Sequence, residues 1–189
     1  LLSNIKTMKK ILRFIIWLLV LLLIVITVRT LTFSSLQADQ GKSENPSSGP
    51  ESIERLSKAV TFPTISYSYE SPVDTSAFSG YLDFIAGAYP LVNSKLVKEV
   101  FNKFSLLFFW QGKDSSLKPA ILMAHYDVVP PGNAESWEKP PFSGIVEGQN
   151  IWGRGTLDDK NSMIAILEAA EMLLSQGFEP ERSIYFAFG

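Results

Sequence analysis

The sequence predicts an α/β domain with a largely parallel central sheet, set behind one transmembrane helix near the amino terminus. Three observations predict it. The run from Phe14 to Val28 is apolar except for Thr27. Short β-branched and aromatic runs alternate further on with segments of helical periodicity. The 189 residues are 46% hydrophobic and 19% charged, a globular balance rather than a disordered one.

Extended through Ile11 and Leu31, the apolar run reaches the roughly 20 residues that carry a helix across about 30 Å of hydrocarbon. A signal peptide shares the basic start and apolar middle, but no clean small-x-small cleavage site follows. A buried core helix rarely lacks polar residues on every face. The reading is an uncleaved anchor over residues 11–31 behind a cytoplasmic start at 1–10, with Met8-Lys9-Lys10 as the natural beginning and residues 1–7 as read-through. Lys6, Lys9, Lys10 and Arg13 precede the apolar run Phe14–Val28 and only Arg29 closely follows it. The positive-inside rule then sends the rest to the periplasm or the cell exterior, and cleavage would make it secreted.

Residues 32–50 carry Ser34, Ser35, Gly41, Ser43, Pro46 and Ser47 to Pro50, too few large apolar groups to pack, and read as a flexible tether. Pro50 can open a helix, with Ile53, Leu56 and Val60 at helical spacing before Phe62-Pro63. Asp74 caps a second helix that places Phe78, Leu82 and Ile85 on one face, with Pro90 beyond its end. Leu96–Val100 and Ser105–Trp110 read as strands, and Ala120–Ala124 as a central buried one. A Pro- and Gly-rich loop and a short strand near Ile151 and Trp152 lead to a helix over Asp159–Gln176. That helix carries Met163, Ile166, Leu167, Ala170, Leu173 and Leu174 on one face and ends at Gly177. Ser183–Gly189 reads as a further buried strand that stops where a loop should follow, so the chain is expected to be a fragment.

A net charge of −2, with no basic patch outside the first residues, excludes a nucleic-acid surface. The absence of cysteine excludes disulfides and thiolate zinc sites, which leaves histidine and carboxylates as metal ligands. His125 is the only histidine, and it follows the apolar strand, where open α/β sheets place their ligands. Asp127 stands two residues on, on the same face of an extended chain, where a carboxylate could orient the imidazole toward a metal. Alone, this pair would read as a capping or core histidine. A second cluster, Gly153-Arg154-Gly155-Thr156-Leu157-Asp158-Asp159-Lys160, precedes the long helix. Helix capping accounts for one of its aspartates and leaves the other unexplained. The glycines suggest tight backbone turns, and a carboxylate held beside His125 could bridge two cations.

These residues resemble the zinc-dependent aminoacylase, carboxypeptidase S and glutamate carboxypeptidase group of co-catalytic metallopeptidases. The resemblance spans residues 51–189 and rests on Met123-Ala124-His125-Tyr126-Asp127-Val128-Val129-Pro130, on Trp137 with Pro140-Pro141-Phe142-Ser143-Gly144, and on Gly153 to Asn161. The chain looks most like the carboxypeptidase S branch, which includes enzymes acting on N-fatty-acyl amino acids. The resemblance implies a phosphorylase/hydrolase-like zinc-peptidase catalytic domain with two zinc ions per complete site, cobalt or manganese being substitutes. It implies that His125 ligates one zinc, that Asp127 is the catalytic carboxylate orienting it, and that Asp158 bridges the pair. Asp159 would support that geometry through a strained, in places cis, peptide bond. Relatives follow the strand matching Ile184–Gly189 with an acidic pair, a general base and a ligand, and later supply an acidic ligand, a histidine and a small domain that would make a homodimer.

The expected reaction is hydrolysis of an amide bond in a peptide or an N-acyl amino acid. A zinc-acidified water would attack the carbonyl and a glutamate would shuttle its proton. His125 and Asp158 alone fall short of the three ligands that a catalytic zinc needs, so the chain as it stands is expected to bind zinc weakly and not to turn over. The rival is a membrane-tethered, non-catalytic module that keeps the fold without the metal. Trp137, Phe142 and Trp152 either line a substrate cleft or anchor loops, and Phe62-Pro63-Thr64-Ile65-Ser66 resembles the family's segment near the site.

Overall fold

A computed structural model describes residues 2–34, 49–68 and 71–189, with side chains from Met8 onward. The chain divides into two compact units, Leu1–Pro46 and Ser47–Gly189. In the first, α1 (Leu2–Leu31) is a single helix of 30 residues. Its segment Met8–Leu31 is long and apolar enough to cross a membrane. Thr27, Thr30 and Thr32 turn their hydroxyls back onto the carbonyls of Leu23, Ile26 and Val28 at 2.8, 2.9 and 2.7 Å. These three hydroxyls are thereby satisfied by the helix backbone. The Lys6 side chain and residues 35–48, most of the expected tether, lie outside the described residues.

The second unit opens with α2 (Pro50–Val60), which takes Pro50 in its first turn, where the missing N–H is no loss. In α3 (Thr75–Ala88), Asp74 accepts from the main-chain N–H groups of Ser76 and Ala77 as the expected cap. Phe78 and Ile85 are buried and Leu82 packs against the core, with the fully buried Tyr81 beside them. Pro90 does more than end this helix. It opens a short α4 (Pro90–Lys95) that sequence periodicity is too brief to show. The long helix α5 (Lys160–Ser175) buries Met163, Ile164, Leu167, Ala170 and Leu174, and Gly177 follows it at φ +70°. Each of the larger ones, Met163, Ile164, Leu167 and Leu174, contributes about 1.5–3 kcal/mol by leaving water.

The sheet differs from expectation. Strands β1 (Val97–Phe101), β2 (Ser105–Trp110), β3 (Ala120–Ala124) and β6 (Ile184–Phe188) stand in the order β1-β2-β6-β3. β1 pairs antiparallel with β2, β2 pairs antiparallel with β6, and only β6 and β3 run parallel. The largely parallel sheet is thus corrected to a mixed one. Three residues, Asn102–Phe104, link β1 to β2 with Asn102 and Lys103 at positive φ, far too few for the crossover that a parallel pair needs. The central, buried place expected for β3 is also corrected. It is an edge strand among the described residues, and Ile121, Leu122 and Met123 are exposed. An apolar run records that a strand should be covered, not which segment covers it. A separate hairpin joins β4 (Val146–Glu147) to β5 (Asn150–Ile151).

The core lies between the sheet and α5, which contacts α2, α4 and β3. Alternation along β2 turns Leu106, Phe108 and Trp110 inward. In the parallel pair, Ala124 stands opposite Phe188, so the two strands end together. The Tyr126 N–H donates to the Gly189 carbonyl at 2.8 Å just past that end.

Candidate functional site

The chain beyond β3 stays extended because a second segment braces it. The Thr64 hydroxyl, fully buried, donates to the Tyr126 carbonyl. The Val128 N–H donates to the Thr64 carbonyl at 2.8 Å, and the Ser66 N–H to the Val128 carbonyl at 3.0 Å. On an extended backbone, residues two apart share a face, and His125 and Asp127 meet there. The Nδ1 of His125 lies 2.9 Å from Asp127 Oδ1 and 3.1 Å from the Asp127 carbonyl. Both oxygens can only accept, so Nδ1 carries a proton.

On the other ring nitrogen, Nε2 lies 2.9 Å from Asp158 Oδ1. The structure thus brings His125, Asp127 and Asp158 together, Asp158 from a loop 33 positions along the chain. Burial acts to lower the basicity of His125. The carbonyl and carboxylate of Asp127, with the charge of Asp158 behind them, outweigh it and hold the imidazole above the ordinary histidine range. Asp159 does not join the triad. It occupies the N-cap position of α5 without a side-chain cap bond, and Asn161 Oδ1 accepts from the Ser162 N–H instead. The peptide bond from Asp158 to Asp159 is cis. Asp159 and His125 border a cavity of about 570 Å3 whose other walls include Phe101, Leu107, Met123 and Phe188.

Trp137, Phe142 and Trp152 are absent from that cavity's lining. Trp137 donates from Nε1 to the Pro131 carbonyl at 2.9 Å and carries the Arg154 guanidinium 4.9 Å from its ring centre, as a loop anchor does. Two residues without an assigned role in the sequence reading are fully buried next to these segments, Thr64 and Lys160. Lys160 is fully buried, and burial pushes its ammonium down to about 7. Its signal was available, since Lys160, Met163, Ile164 and Leu167 share one helical stripe.

The donors fit a metal in kind. Imidazole nitrogen and carboxylate oxygen are zinc ligands, and two ligands of one tetrahedral zinc stand about 3.3 Å apart, close to the 2.9 Å between Nε2 and Oδ1. They fall short in number, because among the described residues no group of three or more metal-binding side chains occurs.

Residues 121–189, from β3 through β6, match Peptidase family M20/M25/M40. The chain belongs to that family. It is 42% identical over 181 residues to "Probable carboxypeptidase S-like 2" of Dictyostelium discoideum, covering 91% of this chain and 35% of that protein. To the N-fatty-acyl-amino acid synthase/hydrolase of Mus musculus it is 44% identical over 180 residues, covering 92% and 35%. The chain therefore spans about a third of the length of these relatives. Among solved structures, a metallo-carboxypeptidase of the M20 family from Sulfolobus solfataricus superposes with a TM-score of 0.57 at 22% identity, over 73% of this chain and 30% of its own. The likeness at that identity is one of fold.

Proposed function

We propose that this M20 chain supplies part of the zinc site of an amide-bond hydrolase that acts on peptides as a carboxypeptidase or on N-acyl amino acids, and that residues 11–31 anchor it in a membrane. Residues 32–50 would be its tether and residues 51–189 its share of the catalytic domain, outside the cytoplasm. The observation that carries the reading is His125 set between two carboxylates at the carboxyl end of a parallel strand pair, with Asp127 on Nδ1 and Asp158 on Nε2. The names of the relatives, carboxypeptidase on one side and N-fatty-acyl-amino acid hydrolase on the other, support the two substrate classes.

His125 and Asp158 would hold the metal, the latter as bridge, and Asp159 would support Asp158 from behind. Bound there, a zinc pair would acidify a water and polarise the carbonyl under attack. Asp127 keeps the proton on Nδ1, which leaves the Nε2 lone pair as the ligand and raises its basicity. Nε2 faces Asp158 Oδ1 across 2.9 Å, and a cation would take its place between them. Two donors are fewer than the three of a catalytic zinc site, so this chain by itself is expected to hold zinc weakly and to turn over no substrate.

The test is hydrolysis of a dipeptide and of an N-acyl amino acid by the full-length gene product, with and without zinc, beside Asp158→Ala. Zinc-dependent hydrolysis is expected, falling in the variant by more than about a hundredfold, the upper end of what an outer partner of a ligand contributes. A folded, zinc-loaded protein that hydrolyses neither substrate would replace this reading with a tethered, non-catalytic module.

A further inference from the structure

Asp158 raises a question of support. Its side chain is 86% exposed and hydrogen-bonded to His125, so its position has to come from the loop that carries it. Lys160, two residues on, is the one fully buried charged side chain among the described residues. Its stem runs beneath Gly155, where a Cβ would come within 3.2 Å of Lys160 Cδ and 2.9 Å of Val128 Cγ1 at a φ of +90°. Its Nζ donates to the Ala59 carbonyl at 3.0 Å and to the Phe62 carbonyl at 2.7 Å. These oxygens belong to the last turn of α2 and the residues just after it; each also accepts a main-chain N–H, Ala59 from Phe62 and Phe62 from Thr64, and Lys160 adds a charged donor to both.

The segment that receives Lys160 is the one that braces the other half of the site. Phe62 leads directly into Thr64, Ile65 and Ser66, which hold Tyr126 and Val128 through the main-chain and hydroxyl bonds described above. A second path runs through aromatic rings. Nζ sits 5.1 Å from the centre of the Tyr81 ring, and Tyr81 stacks on Tyr126 at 4.7 Å with the planes 8° apart. Tyr126 lies between His125 and Asp127 in the chain.

We propose that Lys160 is a positioning residue: it fastens the Gly153–Asp159 loop to the 59–66 segment that also braces His125–Val128, and so keeps Asp158 in register with His125 for a shared cation. The cation part of this inference rests on the zinc reading above, and the fastening part does not. A lysine that merely filled space in the core would lower the stability of the whole unit evenly. A fastening lysine, once removed, loosens two segments and the metal pair they carry.

The experiment compares the full chain in detergent with Lys160→Met, which keeps the stem and loses the donor, and with Lys160→Gln, which keeps an amide donor on a shorter stem. Amide hydrogen exchange is read by segment, and zinc affinity by competition with a chromogenic chelator, both also in an Asp158→Ala background. Lys160→Met is expected to speed exchange in residues 59–66 and 153–159 by about tenfold or more, with β2 and α5 unchanged. It is expected to weaken zinc by about tenfold or more, with no further loss once Asp158 is alanine, because the effect passes through that carboxylate. Lys160→Gln falls between, and carries the comparison if Lys160→Met does not fold. Unchanged exchange in the two segments overturns the proposal, as does an even rise across the unit. So does a zinc affinity equal to wild type in Lys160→Met when Asp158→Ala has lost it. If the wild-type chain takes up too little zinc to measure, as two donors allow, the zinc reading is decided by the hydrolysis test on the full-length gene product, and the exchange pattern alone decides whether Lys160 fastens the loop.

Discussion

The imidazole of His125 has two nitrogens and a carboxylate for each. Asp127 and Asp158 stand at equal distances, 2.9 Å, but differ in what they could do. Asp127 shares its strand extension and touches the nitrogen away from the proposed cation, so its effect on binding is indirect. Asp127→Ala is expected to lower zinc affinity by about 10–100-fold while leaving the fold intact, as read by the same chelator competition with circular dichroism beside it. A loss no greater than that of a distant surface aspartate would remove Asp127 from the site. The His125–Asp127 pair was legible in the sequence because two residues on an extended chain share a face. The approach of Asp158 was legible only through the family resemblance, since spacing says nothing of how a loop folds back over 33 residues. The partners of Lys160 left no trace, because they are main-chain carbonyls 101 and 98 residues away and every residue has one.

At the scale of elements, the cap of α3 shows how one side chain sets a boundary. The Ser76 hydroxyl and the N–H groups of Ala77 and Ser76 donate to Asp74 and hold its carboxyl below the ordinary value of 3.8. A depressed carboxylate stabilises the fold above its unfolded pKa, and that stabilisation is lost as the pH falls through the lower, folded value. Asp74→Ala is therefore expected to lower Tm by a few degrees near neutral pH, and the gap to wild type should close below pH 3.8. Thermal unfolding of both proteins across that range checks it, and a gap constant with pH would mean that the charge plays no part. Helices with a clear apolar stripe, α2, α3 and α5, were legible to within a residue or two at their ends. The six-residue α4 was not, because its length gives periodicity too little to act on. The environment of β3 was misread, since Ala120–Ala124 has the composition of a covered strand and stands at an edge.

For the whole molecule, alternation of strands and helices conveyed the α/β class but not the directions of the strands. Those depend on connections, and the hairpin from β1 to β2 and the antiparallel seating of β6 on β2 make the sheet mixed. What survives of the parallel arrangement is the β3–β6 pair, and it is there that His125 stands. Among the described residues one flank of β3 is unpaired, which has a consequence for handling this chain by itself in solution. Main-chain donors and acceptors along an unpaired strand form a template for any other strand, and Ile121 and Met123, 61% and 72% exposed, give it no charge to repel one. Copies brought together in concentrated solution would stack edge on edge and leave it as aggregate. Met123→Lys places a charge on that flank, and is expected to raise the fraction remaining in the supernatant after sedimentation at high concentration. Equal losses for the two proteins would trace the aggregation to another surface.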